Sequence, residues 1–143
     1  MKKNIKDLKK QFQSRKDLSF INKLLDAKPQ AKVYLVGGAV RDFFLGKKVT
    51  DLDFVIEGLE RNQLEDFLAK EGSIKDVESR AFGVFIFRPH KGKENFDIAL
   101  PRSDKWQGGG YKDLEVDVGV SIEEDLKRRD FTVNAMAVNL KDY

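Results

Sequence analysis

The stretch LVGGAVRDFFLGKKVTDLDFVIEG, Leu35 to Gly58, decides how this chain is read. An apolar, β-branched run from Val33 to Val36 stops at Gly37 and Gly38, and Ala39 to Leu45 is compatible with a helix. The two glycines therefore stand where a strand hands over to a helix. Glycine lets the backbone pass close to a ligand, and the unpaired N–H groups opening a helix favour an anion, so this turn suits a phosphate. The next strand is expected to carry Asp51 and Asp53. Residues at i and i+2 of a strand point to the same side, which presents the two carboxylates together and turns Leu52 and Phe54 to the core. Like charges so placed repel unless a divalent cation sits between them. Hard oxygen ligands of this kind suit Mg²⁺, which bridges one or two carboxylates and substrate phosphates. A phosphate turn beside a carboxylate pair points to phosphoryl or nucleotidyl chemistry.

Outward from this stretch, bulk properties set the frame. The 143 residues, 41% hydrophobic with eleven Phe, suffice for one domain with its own core. With no cysteine, disulfides and thiolate metal sites are excluded. No apolar run approaches a membrane span and the basic N-terminus lacks the apolar segment of a signal peptide, so a soluble, cytoplasmic protein is expected. Residues 1–32 hold ten Lys or Arg against three acids, a balance of +7, leaving 17 basic and 21 acidic residues, or −4, beyond them. Ile5, Leu8 and Phe12, then Leu18, Ile21, Leu24 and Leu25, recur at helical spacing, so residues 1–31 read as a basic amphipathic helical segment ending before Pro29. It is either a phosphate-seeking arm or a solvated helix face. The second is commoner for a lysine-rich face with no interleaved aromatic.

Downstream, Leu59 to Lys70 has helical apolar spacing closed by Gly72, Ile74 to Val77 is a candidate short strand, and AFGVFIFRP, Ala81 to Pro89, is a strand apolar on both faces. A turn at His90 to Lys93 leads back into ENFDIALPR as an antiparallel hairpin. The expected architecture is a mixed sheet with helices on one face. On the returning strand Asp97 faces away from Phe96, Ile98 and Leu100. It marks either an edge strand or a third carboxylate for the site. Pro101 to Val120, with three glycines between Trp106 and Tyr111, reads as a mobile loop that either closes over a ligand or lies on the surface. Ser121 and Glu124 open a helix in capping-box spacing, followed by Lys127, Arg128, Arg129 and Asp130, a solvated helix end or a polyphosphate contact. His90, in a turn between basic residues, reads as a surface residue.

VGGAVRDFFLGKKVTDLDFVIEG followed by EEDLKRRDFTVNAMA resembles the head domain of the class II tRNA nucleotidyltransferase (CCA-adding enzyme) and bacterial poly(A) polymerase family. Both motifs occur in family order, joined by FDIALPRSDKW and the GGGY loop, over Val33 to Leu140. The resemblance implies an α/β (α+β) nucleotidyltransferase fold of the DNA polymerase β type, a mixed sheet flanked by helices, with residues 32–143 as the head domain. It implies that Gly37 and Gly38 hold the nucleotide triphosphate with Arg41 assisting, that Asp51 and Asp53 bind Mg²⁺, and that Asp97 joins them in catalysis. Arg102, Arg129, Asp130 and Asn134 would contact the nucleotide.

The reaction so implied is transfer of a nucleoside monophosphate from ATP or CTP to an RNA 3′-hydroxyl, tRNA above all, with release of pyrophosphate. Family members continue into a helical neck, body and tail that choose the base and grip tRNA. The expectation here is therefore a fragment or a short relative that works with a separate subunit. A nucleotide-binding or regulatory module of the same fold is the alternative from another class. A Rossmann-type dinucleotide site is disfavoured, because GGAVRD is not GxGxxG and an acid pair is not what a ribose contact needs.

Overall fold

The computed structural model describes residues 3–75, 83–106, 114–118, 121–127 and 136–140, the backbone alone over 102–106 and 114–118. The leading segment forms α1 (Ile5–Gln13), a 3₁₀ turn (Lys16–Leu18) and α2 (Ser19–Ala27). Helix α1 opens on a reciprocal cap, with the Asp7 N–H donating to Asn4 Oδ1 and the Asn4 N–H to Asp7 Oδ2, both at 3.0 Å. The deciding stretch gives β1 (Lys32–Val36), α3 (Gly38–Phe44) and β2 (Asp53–Glu57). Then follow α4 (Arg61–Glu71), β3 (Gly72–Ile74), β4 (Val84–Pro89), β5 (Phe96–Ala99), β6 (Arg102–Trp106), β7 (Leu114–Val118), α5 (Ile122–Lys127) and β8 (Ala137–Asn139).

Six strands form one mixed sheet in the order β3-β4-β5-β2-β1-β8. Strands β2 and β5 run parallel, and the other neighbours are antiparallel. One face carries Leu35, Phe54, Phe85, Phe87, Phe96 and Ile98 into the main core, closed by Leu8, Phe12, Phe20 and Leu24 from the N-terminal helices, Phe43 from α3, and Leu64 and Leu68 from α4. Phe20 is the hub, its ring centroid 5.0 Å from Phe87 and 6.2 Å from both Phe54 and Phe96. The basic segment thus spends its apolar stripe on the sheet and leaves most of its lysines outward, Lys9 being buried beside Leu8, the arrangement its helical periodicity broadly encodes.

On the other face Val36, Val55 and Ile122 form a smaller cluster, with Tyr34, Leu126 and Ala137 against it. Helix α5 therefore covers part of this second face, which corrects the expectation of helices on one face only. Ile122 and Leu126 stand four apart, enough for a one-sided apolar contact in a six-residue helix.

Three further expectations change. Strand β5 lies between β4 and β2, so Asp97 is not on an edge. The short strand after α4 is Gly72–Ile74, two residues earlier than expected, since α4 runs straight into it, and residues 76–82 lie outside the described residues. Pro101 to Val120 is not simply a loop: β6 and β7 pair as an antiparallel hairpin, Arg102 opposite Val118 through Trp106 opposite Leu114. The alternation of Leu114, Val116 and Val118 with Glu115 and Asp117 was the signal for β7, overshadowed by the glycines before it.

Candidate active site

Strand β1 ends at Val36, and Gly37 turns the chain with φ 75° and ψ −143°. That conformation is open to glycine and strained for a residue with a Cβ. The turn is tethered: the Gly37 N–H donates to the Met136 carbonyl at 3.1 Å, and the Gly37 carbonyl accepts from Val40 N at 3.1 Å. By position the N–H groups of Gly38 and Ala39, in the first turn of α3, have no helical acceptor, and they are the donors left for an anion. Arg41 folds back over them. A Cβ built on Gly38 would lie 3.2 Å from Arg41 Nη2, while Arg41 Nε donates to Asp42 Oδ1 at 2.9 Å.

Asp53 opens β2, opposite Val36 of β1. A Cβ on Gly37 would sit 4.0 Å from Asp53 Oδ2, so the phosphate-suited turn and this carboxylate are neighbours. On the other side Asp53 is in register with Asp97 of β5. Partners across a parallel pair share a face, here the face opposite the Phe54 and Phe96 core. Asp51 departs from the expectation: β2 begins at Asp53, so Asp51 stands in the bend before the strand, exposed, while Leu52 is buried as expected. The alternation of a strand therefore does not reach back to Asp51.

Asp51 borders an open cleft of about 440 Å³ shared with Arg15, Lys48, Thr50, Glu94 and Asn95. Arg15 comes from the N-terminal segment, and no spacing in the sequence linked it to this site. Its guanidinium donates to Asp17 from Nε at 3.0 Å and from Nη2 at 2.6 Å, lies 3.5 Å from Glu94, and sits 5.8 Å from the Phe96 ring centroid. The hydrogen bonds to Asp17 raise its pKa above the ordinary arginine value, against a lowering by burial, so it is a fixed cation.

Among the described residues no three Asp, Glu or His side chains converge as a metal-holding group. The three-acid convergence expected of Asp51, Asp53 and Asp97 is thus reduced to the Asp53–Asp97 register pair with Asp51 beside it. Two hard-oxygen donors on one face next to a phosphate-suited turn still fit Mg²⁺, which takes one or two carboxylates and completes its shell with water and phosphate. Arg102 opens β6, and its side chain lies outside what is described. Arg129, Asp130 and Asn134 lie outside the described residues. The elements flanking that segment are tied to the strands of the site: Ile122 N at the start of α5 donates to Glu57 of β2 at 3.2 Å, and β8 pairs with β1.

Residues 33–143 match the family model described as the poly A polymerase head domain. The multifunctional CCA protein of Xanthomonas campestris pv. campestris (strain B100) is 43% identical over 108 residues, 74% of this chain and 24% of that protein. Among solved structures, an apo form of a CCA-adding enzyme superposes with a TM-score of 0.71 at 30% identity, covering 99% of this chain and 31% of the other. A tRNA nucleotidyltransferase complexed with a primer tRNA and an incoming ATP analog gives a TM-score of 0.57 at 29% identity, over 86% of this chain and 32% of the other. The chain spans about a quarter of the length of the CCA protein and about a third of the structural neighbours.

Proposed function

The chain belongs to the poly A polymerase head-domain family, and from that premise we propose that it is the catalytic head of a template-independent RNA nucleotidyltransferase. The reaction is transfer of a nucleoside monophosphate from ATP or CTP to the 3′-hydroxyl of an RNA, tRNA in the first place. The hydroxyl oxygen bonds to the α-phosphorus, the bond from that phosphorus to the bridging oxygen breaks, and pyrophosphate leaves. The observation that carries this reading is the register pair Asp53 and Asp97 beside the Gly37 turn. The family supplies the substrate class, since the relatives are named for CCA addition and one neighbour holds a primer tRNA with an ATP analog.

In this reading the Gly38 and Ala39 N–H groups and the Arg41 guanidinium bind the triphosphate, orienting the α-phosphate toward the carboxylates. Asp51 and Asp53 are the residues that would hold Mg²⁺. When bound there, the metal lowers the pKa of the attacking hydroxyl and neutralises charge growing on the α-phosphate and pyrophosphate. Asp97, on the same face as Asp53, would close that metal site as a third carboxylate, and the proton of the attacking hydroxyl passes to bulk water. By the family motif, Arg102, Arg129, Asp130 and Asn134 contact the nucleotide. No helix among the described residues is long and apolar enough to cross a membrane, and a tRNA substrate would be met in the cytoplasm. Base choice and the grip on tRNA belong to further domains or a partner subunit.

The test is incubation with Mg²⁺, labelled ATP or CTP, and tRNA ending before, within or after its CCA, with Asp51→Ala in parallel. Incorporation lost in the variant supports the reading. Mg²⁺-dependent NTP binding without incorporation leaves a head that needs its neck and tail or a non-catalytic nucleotide-binding module, and absence of both sinks the site.

A further inference from the structure

We propose that a second cleft, bordered by Lys16, Lys23, Lys70, His90 and Lys91 over Phe20, binds the phosphodiester backbone of the RNA substrate. The inference rests on the reading of the chain as an RNA nucleotidyltransferase and adds to it a surface outside the nucleotide site.

The cleft, of about 200 Å³, is built from four separate parts of the chain: the 3₁₀ turn, α2, the end of α4 and the β4–β5 turn. Four lysines meet one acid there, Glu71, and that acid is engaged by Lys23 at 3.2 Å. Lys16, Lys70 and Lys91 are exposed and make no ion pair among the described residues. Three like charges brought together without a paired counter-charge cost free energy that an anion would return. A second feature has the same sign. Helix α2 begins at this cleft with Ser19 and Phe20 in its wall, the Ser19 N–H donating to the Lys16 carbonyl, and no side chain caps its N-terminus, so the positive end of the helix dipole adds to the lysines.

The volume is below the roughly 300 Å³ at which pockets for whole small molecules begin, which suits a phosphate with part of its sugar rather than a complete nucleotide. Position relates this cleft to the reaction. Arg15 borders the Asp51 cleft and Lys16, the next residue, borders this one; Lys91 lies here while Glu94 and Asn95, on the same turn, lie there. The two clefts are therefore adjacent along the same two segments. A polyanion whose 3′ end reaches Asp51 carries its upstream phosphates past Arg15 to the lysines.

The test is a salt titration of the full chain binding a fluorescein-labelled tRNA transcript that lacks its CCA, read by fluorescence anisotropy. Lys16→Glu/Lys70→Glu/Lys91→Glu is compared with Lys6→Glu/Lys10→Glu/Lys32→Glu, the same charge change at exposed lysines outside the cleft. ATP affinity and melting temperature are measured alongside. Losing three single-strand phosphate contacts should flatten the plot of log affinity against log salt by about two and weaken binding ten-fold or more at low salt. ATP affinity should hold, and the control variant should lose much less. Equal losses in both variants, or none in the first, would overturn the proposal while leaving the catalytic reading intact. A wild-type chain that binds ATP but no tRNA would overturn the proposal and leave the catalytic reading standing, whereas one that binds neither would overturn both.

Discussion

Asp53 on β2 and Asp97 on β5 stand in register across the parallel pair of an otherwise antiparallel sheet, on the face opposite the main core. Two carboxylates in such proximity repel, which a fold tolerates when a cation is to join them. Asp53→Asn and Asp97→Asn are each expected to lower nucleotide transfer by about 10²-fold or more, on the scale of removing one electrostatic group from a transition state. Asp97→Asn should not lower the urea midpoint, because it removes a like-charge neighbour from an exposed position. Single-turnover transfer and equilibrium unfolding on the same samples check this. A variant that transfers normally removes its residue from the site.

The two glycines of the turn should behave differently. Gly37 needs φ 75°, so Gly37→Ala forces a strained backbone at a cost of about 1–3 kcal/mol, seen as a lower urea midpoint. Gly38 has ordinary helical geometry, and its added Cβ meets only the flexible end of Arg41. Gly38→Ala should therefore fold normally but displace Arg41 and weaken NTP binding. Calorimetric titration with a non-hydrolysable NTP separates the effects; equal stability losses in the two variants would contradict this reading of the turn.

Phe20 tests whether the N-terminal segment can be separated from the head. Its ring touches Phe54, Phe87 and Phe96 on three different strands. Phe20→Ala should cost about 3–5 kcal/mol, the usual range for emptying a buried phenylalanine site. Deleting residues 1–31 should leave a chain that does not unfold cooperatively. A cooperative melt from the truncated protein would make the segment an appendage.

Gly72 is fixed by close approach rather than by φ, since its backbone is extended. A Cβ there would fall 2.7 Å from the Phe87 ring and 2.8 Å from Pro89 Cα, and closer still to the Arg88 carbonyl oxygen. Gly72→Ala should separate β3 from β4 and destabilise by about 1–3 kcal/mol, as overpacking does. Thermal unfolding reads it directly, and an unchanged melting temperature would show that the edge strand yields freely.

Local pattern was enough to find most elements. The apolar run, the glycine pair and the helical register after it are properties of neighbouring residues, so β1, the turn and α3 could be read from Leu35 to Leu45 alone. The same holds for α1, α2, α4 and the β4–β5 hairpin, whose spacing and caps lie within a few residues of one another. Asp51 lies outside strand alternation because pairing with β1 begins two residues later; Val36 opposite Asp53 is the last register pair. The rest depended on contacts distant in sequence. Asp97 taken alone reads as an edge residue, and only the insertion of β5 between β4 and β2 brings it opposite Asp53, 44 positions earlier. Arg15 reaches the Asp51 cleft, and Lys16, Lys23, Lys70 and Lys91 converge, because α1, α2 and α4 pack on one sheet face. The sequence by itself determined the elements and the motif chemistry, since periodicity and turn residues act locally. The partners of each charged side chain were decided by the tertiary structure, because strand order and helix docking are set by the burial of the whole apolar surface at once.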